Sequence, residues 1–350
     1  MEFVFDEDQL LLQTTVRDFL SKECTPETIR ALWQSETGRS PELWKKLAEI
    51  GLPGLLVPEA HGGLGMSELD AVLLLEEAGR AALAEPVISS AVVGVRLLEE
   101  IGDTSLAGEW LPKVAAGEAV VAPGHPVSCF VSDAHVADLM LLPAGEAELH
   151  AVPRHAARVT LQPANDPSRR LATVSFEPGA STRVAEGERA HTLLAAALDR
   201  GALSCAAEAL GVADRMIELA VAYATERVQF GKPIGSFQAV KHMLANAKVK
   251  LEYARPVVYR AAHSVATSAE QRAIHVSMAK LAACEAATST AKAALQVHGA
   301  IGYTWEQDLH IWMRRAWSLA QAWGREPFHH DRVRTALLDG DLPIGPGTTF

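Results

Sequence analysis

The residues best suited to chemistry lie in one short stretch, Glu226-Arg227-Val-Gln229-Phe230-Gly231-Lys232-Pro233-Ile234-Gly235-Ser236-Phe237-Gln238-Ala-Val240-Lys241. An Ala- and Leu-rich run without proline, roughly 193–225, predicts a long helix ending near Arg227. Gly231, Pro233 and Gly235 stop it, and Ser236 is placed to N-cap a following helix that begins at Phe237. The turn between gathers a cation, a ring, an amide and the unpaired N–H groups of a helix start. A planar guanidinium suits a pyrophosphate, an aromatic face suits an adenine, and exposed N–H groups suit anions. Composition alone favours a plainer pair of roles, Arg227 as a surface charge and Phe230 as a core ring. The order of the residues has to decide.

That order, Arg227-x-Gln229-Phe230-Gly231-Lys232-Pro233-Ile234-x-x-Phe237-Gln238-x-Val240-Lys241-His242, resembles the C-terminal signature of the acyl-CoA dehydrogenase family of flavoenzymes. A second stretch, Gln296-Val-His-Gly299-Ala300-Ile-Gly-Tyr-Thr-Trp, resembles that family's second flavin motif, in which Gln and two small residues admit a neighbouring subunit's cofactor. Ala300 stands where Gly is common. A third, Phe130-Val-Ser132-Asp-Ala-His, resembles the strand that sets a Trp and a Thr against the flavin ring, with Phe130 and Ser132 in those places. The resemblance implies FAD as cofactor, held by Arg227, Gln229, Phe230, Ile234, Phe237, Val240, Gln296, Gly299, Ala300, Phe130 and Ser132. It implies oxidation of an acyl-CoA thioester to the trans-2-enoyl form, with electron-transferring flavoprotein or a similar acceptor. Arg227 and Phe230 of one chain are expected to meet Gln296–Ala300 of another around one cofactor, which requires a dimer or tetramer.

The reaction needs a base for the α-proton while the β-carbon yields a hydride to the flavin. In the family this base is a Glu at one of two alternative places. Ungapped counting from the motifs puts one on Trp323, in Ala322-Trp323-Gly324-Arg325, and the other on Gly201. Neither residue can take a proton. Three readings stay open: Glu208, two turns along the same helix; Asp199, two residues away; or a chain with no base of its own. The last resembles the heterotetrameric acyl-CoA dehydrogenases of actinobacterial steroid catabolism, in which a paralogous subunit keeps the Glu, and it points to a bulky, ring-bearing thioester. A further reading, of a different class, is a degenerate scaffold that stabilises such a paralogue without binding flavin.

The elements expected to position these residues are mainly α with a small β domain. They comprise an N-terminal helical domain over 1–117, an abbreviated β domain over 118–187 and a C-terminal four-helix bundle over 188–350. Apolar residues at helical spacing, such as Leu10, Val16 and Leu20 or Leu43, Trp44 and Leu47, support the first. Between its helices, Gly62-Gly63-Leu64-Gly65 follows no strand and is expected to be a structural turn, with a phosphate loop the rarer alternative. Recurring prolines and short β-prone runs mark the middle segment, where the family's preceding strand and its Glu-Pro-x-x-Gly-Ser-Asp-like loop are replaced by Val120-Val-Ala-Pro-Gly-His-Pro. Helices are predicted at about 191–227, 237–265, 268–297 and 305–323, the second kinked at Pro256.

Composition narrows the partners. A formal net charge of −11 and a pI near 5.6 argue against nucleic acid or an anionic membrane as the main partner. The acidic start, Met-Glu-Phe-Val-Phe-Asp-Glu-Asp, is unlike a secretory signal, so a cytoplasmic location is expected. Cys24, Cys129, Cys205 and Cys284 are scattered, as reduced packing residues would be. His298, His310, His329 and His330 lack metal-ligand spacing and are expected in packing or solvated roles.

Overall fold

The computed structural model describes residues 4–145 and 147–340; the last ten residues of the third predicted segment lie outside them. The N-terminal part consists of α1 (Glu7–Glu23), α2 (Pro26–Gln34), α3 (Pro41–Glu49), α4 (Glu68–Arg80), α5 (Val95–Ile101) and α6 (Thr104–Ala115). Their starts are written locally. Asp6 and Gln9 form a capping box on α1, and Thr25 and Ser40 cap α2 and α3 just ahead of prolines. A π-helical turn, Val87–Gly94, joins α4 to α5. The glycine-rich turn is structural, because its amides are consumed internally: Gly63, Leu64 and Gly65 donate to the carbonyls of Pro58, Gly54 and Val57.

The middle of the chain holds β1 (Val121–Pro123), β2 (Val131–Ser132), β3 (Leu139–Ala144), β4 (Glu148–Pro153), β5 (Ala157–Gln162), β6 (Leu171–Phe176) and β7 (Arg183–Glu186). One sheet has the order β1-β3-β4-β7 and a second the order β2-β6-β5. The apolar run of β3 follows from burial on both faces: Met140 and Leu142 pack in a small core with Val131 and Ala172, whereas Leu139 and Leu141 join the main helical core. The strand expected to be missing is present. Val121–Pro123 pairs in parallel with Leu139–Leu141, and the connection from Gly124 to Phe130 leads from it to β2.

The C-terminal part begins with α7 (Gly187–Glu226), 40 residues long and buried at every position from 197 to 213. Its centre touches α4 at two glycines: a Cβ on Gly79 would lie 2.0 Å from the Glu208 carbonyl, and one on Gly211 would lie 1.8 Å from that of Glu76. After α7 comes a two-residue hairpin, β8 (Val228–Gln229) and β9 (Lys232–Pro233), closed by Phe230 and Gly231 at φ 53° and 77°. Both left-handed conformations are those of the turn that matches strand twist. Then follow α8 (Gln238–Ala266), α9 (Arg272–His298), α10 (Leu309–Gln321) and α11 (Glu326–Leu338). Ser236 does not cap α8. It lies in a 3₁₀ turn and donates to the Pro233 carbonyl at 2.7 Å, and the cap position belongs to Phe237, with no side-chain bond. Helix α8 runs through Pro256 as one element, and α11, started by Pro327, was not foreseen. Among the described residues no helix is long and apolar enough to cross a membrane.

Candidate active site

A cavity of about 1450 Å³ opens between the β strands and the helical bundle, lined by the β1–β2 connection, β2, the segment before β6, one face of α9 and the α10–α11 connection. Phe130 and Ser132 are on its wall, Phe130 about two-fifths exposed. They stand at the start of β2, where Ser132 pairs with Leu171 of β6.

The two places expected to hold a base meet at this cavity. Trp323 lies past the end of α10 in a left-handed conformation, φ 53°, uncommon for a bulky side chain. The His329 ring holds it there: Nε2 donates to the Trp323 carbonyl at 3.0 Å, and Nδ1 lies 3.1 Å from Ser277 Oγ. The indole covers the bare backbone of Gly201, where an added Cβ would stand 2.1 Å from indole Cδ2. The glycine leaves room that the tryptophan fills, and no proton acceptor occupies either place. His125 packs on the same indole, ring centres 5.9 Å apart. It is no substitute base, since Nε2 donates to Leu194 O at 3.1 Å and Nδ1 accepts from Val127 N–H at 3.0 Å. Burial lowers its pKa to about 4.

Glu208 and Asp199 are both buried and neither lines the cavity. Asp199 faces away, paired with Arg332 Nη2 at 2.8 Å and Arg272 Nε at 3.7 Å. Glu208 Oε2 has no hydrogen-bond partner, and Arg315 Nη1 is 3.7 Å from it. Desolvation raises its pKa, against the pull of Arg169 and Arg315.

Past Glu208 the cavity wall carries a charged cluster that sequence reasoning missed. Asp133 pairs with Arg39 and accepts from Ser89 Oγ at 2.6 Å; Asp166 accepts from Arg315 Nε at 2.7 Å, both side chains almost wholly buried. Glu85 accepts from Ser40 N–H at 2.9 Å, and burial raises its carboxyl to about 7. Arg169 completes the group. Its only signal was adjacency of Asp133 to Ser132; nothing in the spacing joins residue 166 to residue 315.

The Arg227 turn lies elsewhere. Arg227, Gln229 and Phe230 are exposed, Phe230 at 92%. The Phe230 ring meets Phe237 edge-on at 6.1 Å, and Lys232 Nζ sits 4.5 Å over the Phe237 ring. Gln229 Nε2 donates to the Val228 carbonyl at 2.8 Å, and Ile234 and Val240 are half-buried against the bundle. Four residues before Arg227, Tyr223 stacks on His298 at 4.5 Å and 20°. This sets Gln296, Gly299 and Ala300, all exposed, at the same end of the same chain. Within one chain the two turns therefore lie side by side. Gly299, at φ 65° and ψ −142°, adopts a conformation that suits glycine, and Ala300 keeps negative φ. The base positions lie apart from these turns: from Gly201 to Glu226, the end of α7, is 25 residues, and Arg227 is the next, about 39 Å along at the α-helical rise.

Helices, a β domain and a long helical bundle, with a cavity where the last two meet, define the three-part architecture of a flavin-dependent acyl-thioester dehydrogenase. Family profiles agree: "Acyl-CoA dehydrogenase, N-terminal domain" matches residues 6–118 and "Acyl-CoA dehydrogenase, C-terminal domain" matches residues 191–338. Acyl-CoA dehydrogenase IpdE2 of Mycolicibacterium smegmatis is 37% identical over 91% of this chain and 95% of its own length. IpdE2 of Mycobacterium tuberculosis is 33% identical over 90% and 92%. The ChsE4-ChsE5 complex of Mycobacterium tuberculosis contains a chain that superposes with a TM-score of 0.86 at 26% identity, covering 98% of this chain and 100% of that one. The chain belongs to the acyl-CoA dehydrogenase family, whose members are FAD-binding flavoproteins.

Proposed function

We propose that this chain is a subunit of an FAD-dependent acyl-CoA dehydrogenase that supplies cofactor-binding surface but no catalytic base, and that a paralogous partner carries the base. The observation behind this is the Trp323–Gly201 contact: the two residues that motif counting puts at the base positions pack against each other, the indole filling the space over the glycine. Glu208 and Asp199 do not replace it, because neither reaches the cavity wall and Asp199 is committed to Arg332. The ChsE4-ChsE5 complex, formed by two differently named chains, supports assembly with an unlike partner.

The residues fit the cofactor. The Arg227 guanidinium donates no hydrogen bond within the described residues, and beside it Phe230 offers an uncovered ring face. Arg227 would pair with a pyrophosphate, Phe230 would cover an adenine, and Gln296, Gly299 and Ala300 would line its approach. At the cavity, Phe130 would cover the flavin ring and Ser132 would offer a hydroxyl to its edge. When bound, FAD supplies the hydride acceptor. Arg227 lies about 39 Å along the chain from Gly201, which supports a turn that serves the cavity of another chain in a closed oligomer. The substrate is an acyl-CoA thioester, with electron-transferring flavoprotein or a similar carrier taking the electrons. Purified with its partner, the protein should be yellow and release FAD on denaturation. A colourless preparation even from co-expression would refute this and favour the scaffold reading.

A further inference from the structure

Two helix ends meet beside the Arg227 and Gln296 turns. Tyr223 stands near the end of α7, and its carbonyl accepts the Arg227 N–H at 2.9 Å. His298 is the last residue of α9, and the Gly299 N–H that follows donates to the Leu295 carbonyl. The two rings stack with centres 4.5 Å apart and planes 20° from parallel. The imidazole is fixed in place. It is 5% exposed, its Nδ1 donates to the Ala294 carbonyl at 2.8 Å, and a Cβ on Gly302 would lie 3.0 Å from its own Cβ. Burial lowers its pKa, so the ring is neutral at pH 7 and stacks without a charge to solvate.

The hairpin beyond Tyr223 is held at its stem. Residues 226–233 are all exposed, and two strands of two residues each are marginal alone. The stem is tied by the Arg227–Tyr223 bond and by the Ile234 N–H, which donates to the Arg227 carbonyl at 2.8 Å. A ring contact at that stem, made to the residue next to Gly299, bears directly on where the guanidinium stands relative to Gln296 and Gly299.

We propose that Tyr223 and His298 are positioning residues for the cofactor: their stack locks the Arg227 turn and the Gln296–Ala300 turn into one preformed cradle that grips a neighbouring chain's dinucleotide. This rests on the FAD role proposed above and adds that the two turns act as a unit. A cradle set in advance spares the ligand the cost of ordering it, and neither ring has to touch the ligand.

The test reads FAD affinity. The full-length chain in complex with its paralogous partner, stripped of flavin, is titrated with FAD by flavin fluorescence, and a circular dichroism melt is recorded for each variant. Tyr223→Leu removes one ring. His298→Asn removes the other, its amide nitrogen replacing Nδ1 on Ala294. Each should bind FAD about 2- to 10-fold more weakly, the span of an aromatic pair, whereas Tyr223→Phe keeps the ring and should bind as the unsubstituted protein does. In an Arg227→Ala background the effect of Tyr223→Leu should shrink, because no guanidinium remains to be positioned. Fully additive losses would assign the stack to general stability and overturn the inference. Unchanged affinity in both ring-removing variants, with melts intact, would overturn it and leave the FAD role standing. Loss of the fold in both would make the stack a folding element and overturn it too. Failure of the unsubstituted complex to bind FAD would remove both readings.

Discussion

Substitution of Gly201 separates a tryptophan that fills the base position from one that is merely nearby. A methyl at residue 201 would stand 2.1 Å from the indole, so Trp323 must move out of a loop that His329 already holds in a left-handed turn. Overpacking of this kind costs about 1–3 kcal/mol. Alanine in a helix interior returns about 1 kcal/mol relative to glycine, so Gly201→Ala should be destabilising by roughly 0–2 kcal/mol. With Trp323→Ala in place the clash is gone, and Gly201→Ala should then stabilise by about 1 kcal/mol. The sign changes, and the coupling equals the overpacking cost of about 1–3 kcal/mol. Urea unfolding of the four proteins in the cycle measures it. If Gly201→Ala has the same effect in both backgrounds, the indole does not fill the space over Gly201, and the case for a base-less subunit loses its structural support.

The remaining expectations are more direct. Arg227→Ala should weaken FAD binding by about 1.5–3 kcal/mol, the value of a charge-assisted bond, and unchanged affinity in equilibrium dialysis would make Arg227 a surface charge. Light scattering should find dimers or tetramers, if the turn of one chain serves the cavity of another as proposed; a stable flavin-loaded monomer would contradict that. The pH profile has two opposing parts. His125, His275 and His329 have pKa values lowered to about 4 by burial, so they cost stability as the pH falls from their unfolded value near 6.5. Glu85, raised to about 7, binds its proton more tightly when folded, so its term falls as the pH rises from about 4.5 to 7. Glu85→Gln, with an amide oxygen still able to accept from Ser40, should raise the melting temperature above pH 7 and steepen the loss on acidification; an unchanged profile would mean that Glu85 is ionised in the fold.

What the sequence conveyed, and what it did not, divides along physical lines. The helical and β segments were legible because apolar period and proline density are local, and the Arg227 turn because its residues are contiguous. The capping role given to Ser236 failed because the chain tightens into a 3₁₀ turn whose carbonyl takes the hydroxyl. Strand β1 was missed because three residues, Val121–Pro123, acquire their strand character from pairing with β3. The meeting of Gly201 and Trp323 was hidden for a simpler reason: neither residue signals the other, and only the fold shows that one is the space and the other its filling. Arg169 was silent too, since nothing in the spacing joins it to Asp133, Asp166 and Glu208, the acidic residues around it.

The central claim, that this chain has no base of its own, is tested most directly by steady-state dehydrogenation with an artificial electron acceptor, run on the purified chain alone and on its complex with the paralogous partner. The account predicts turnover in the complex, indifferent to Glu208→Gln and Asp199→Asn in this chain, and a rate lower by about 10²–10⁴-fold or more in the chain alone, the usual consequence of a missing base. Full activity of the chain alone, abolished by either substitution, would contradict it.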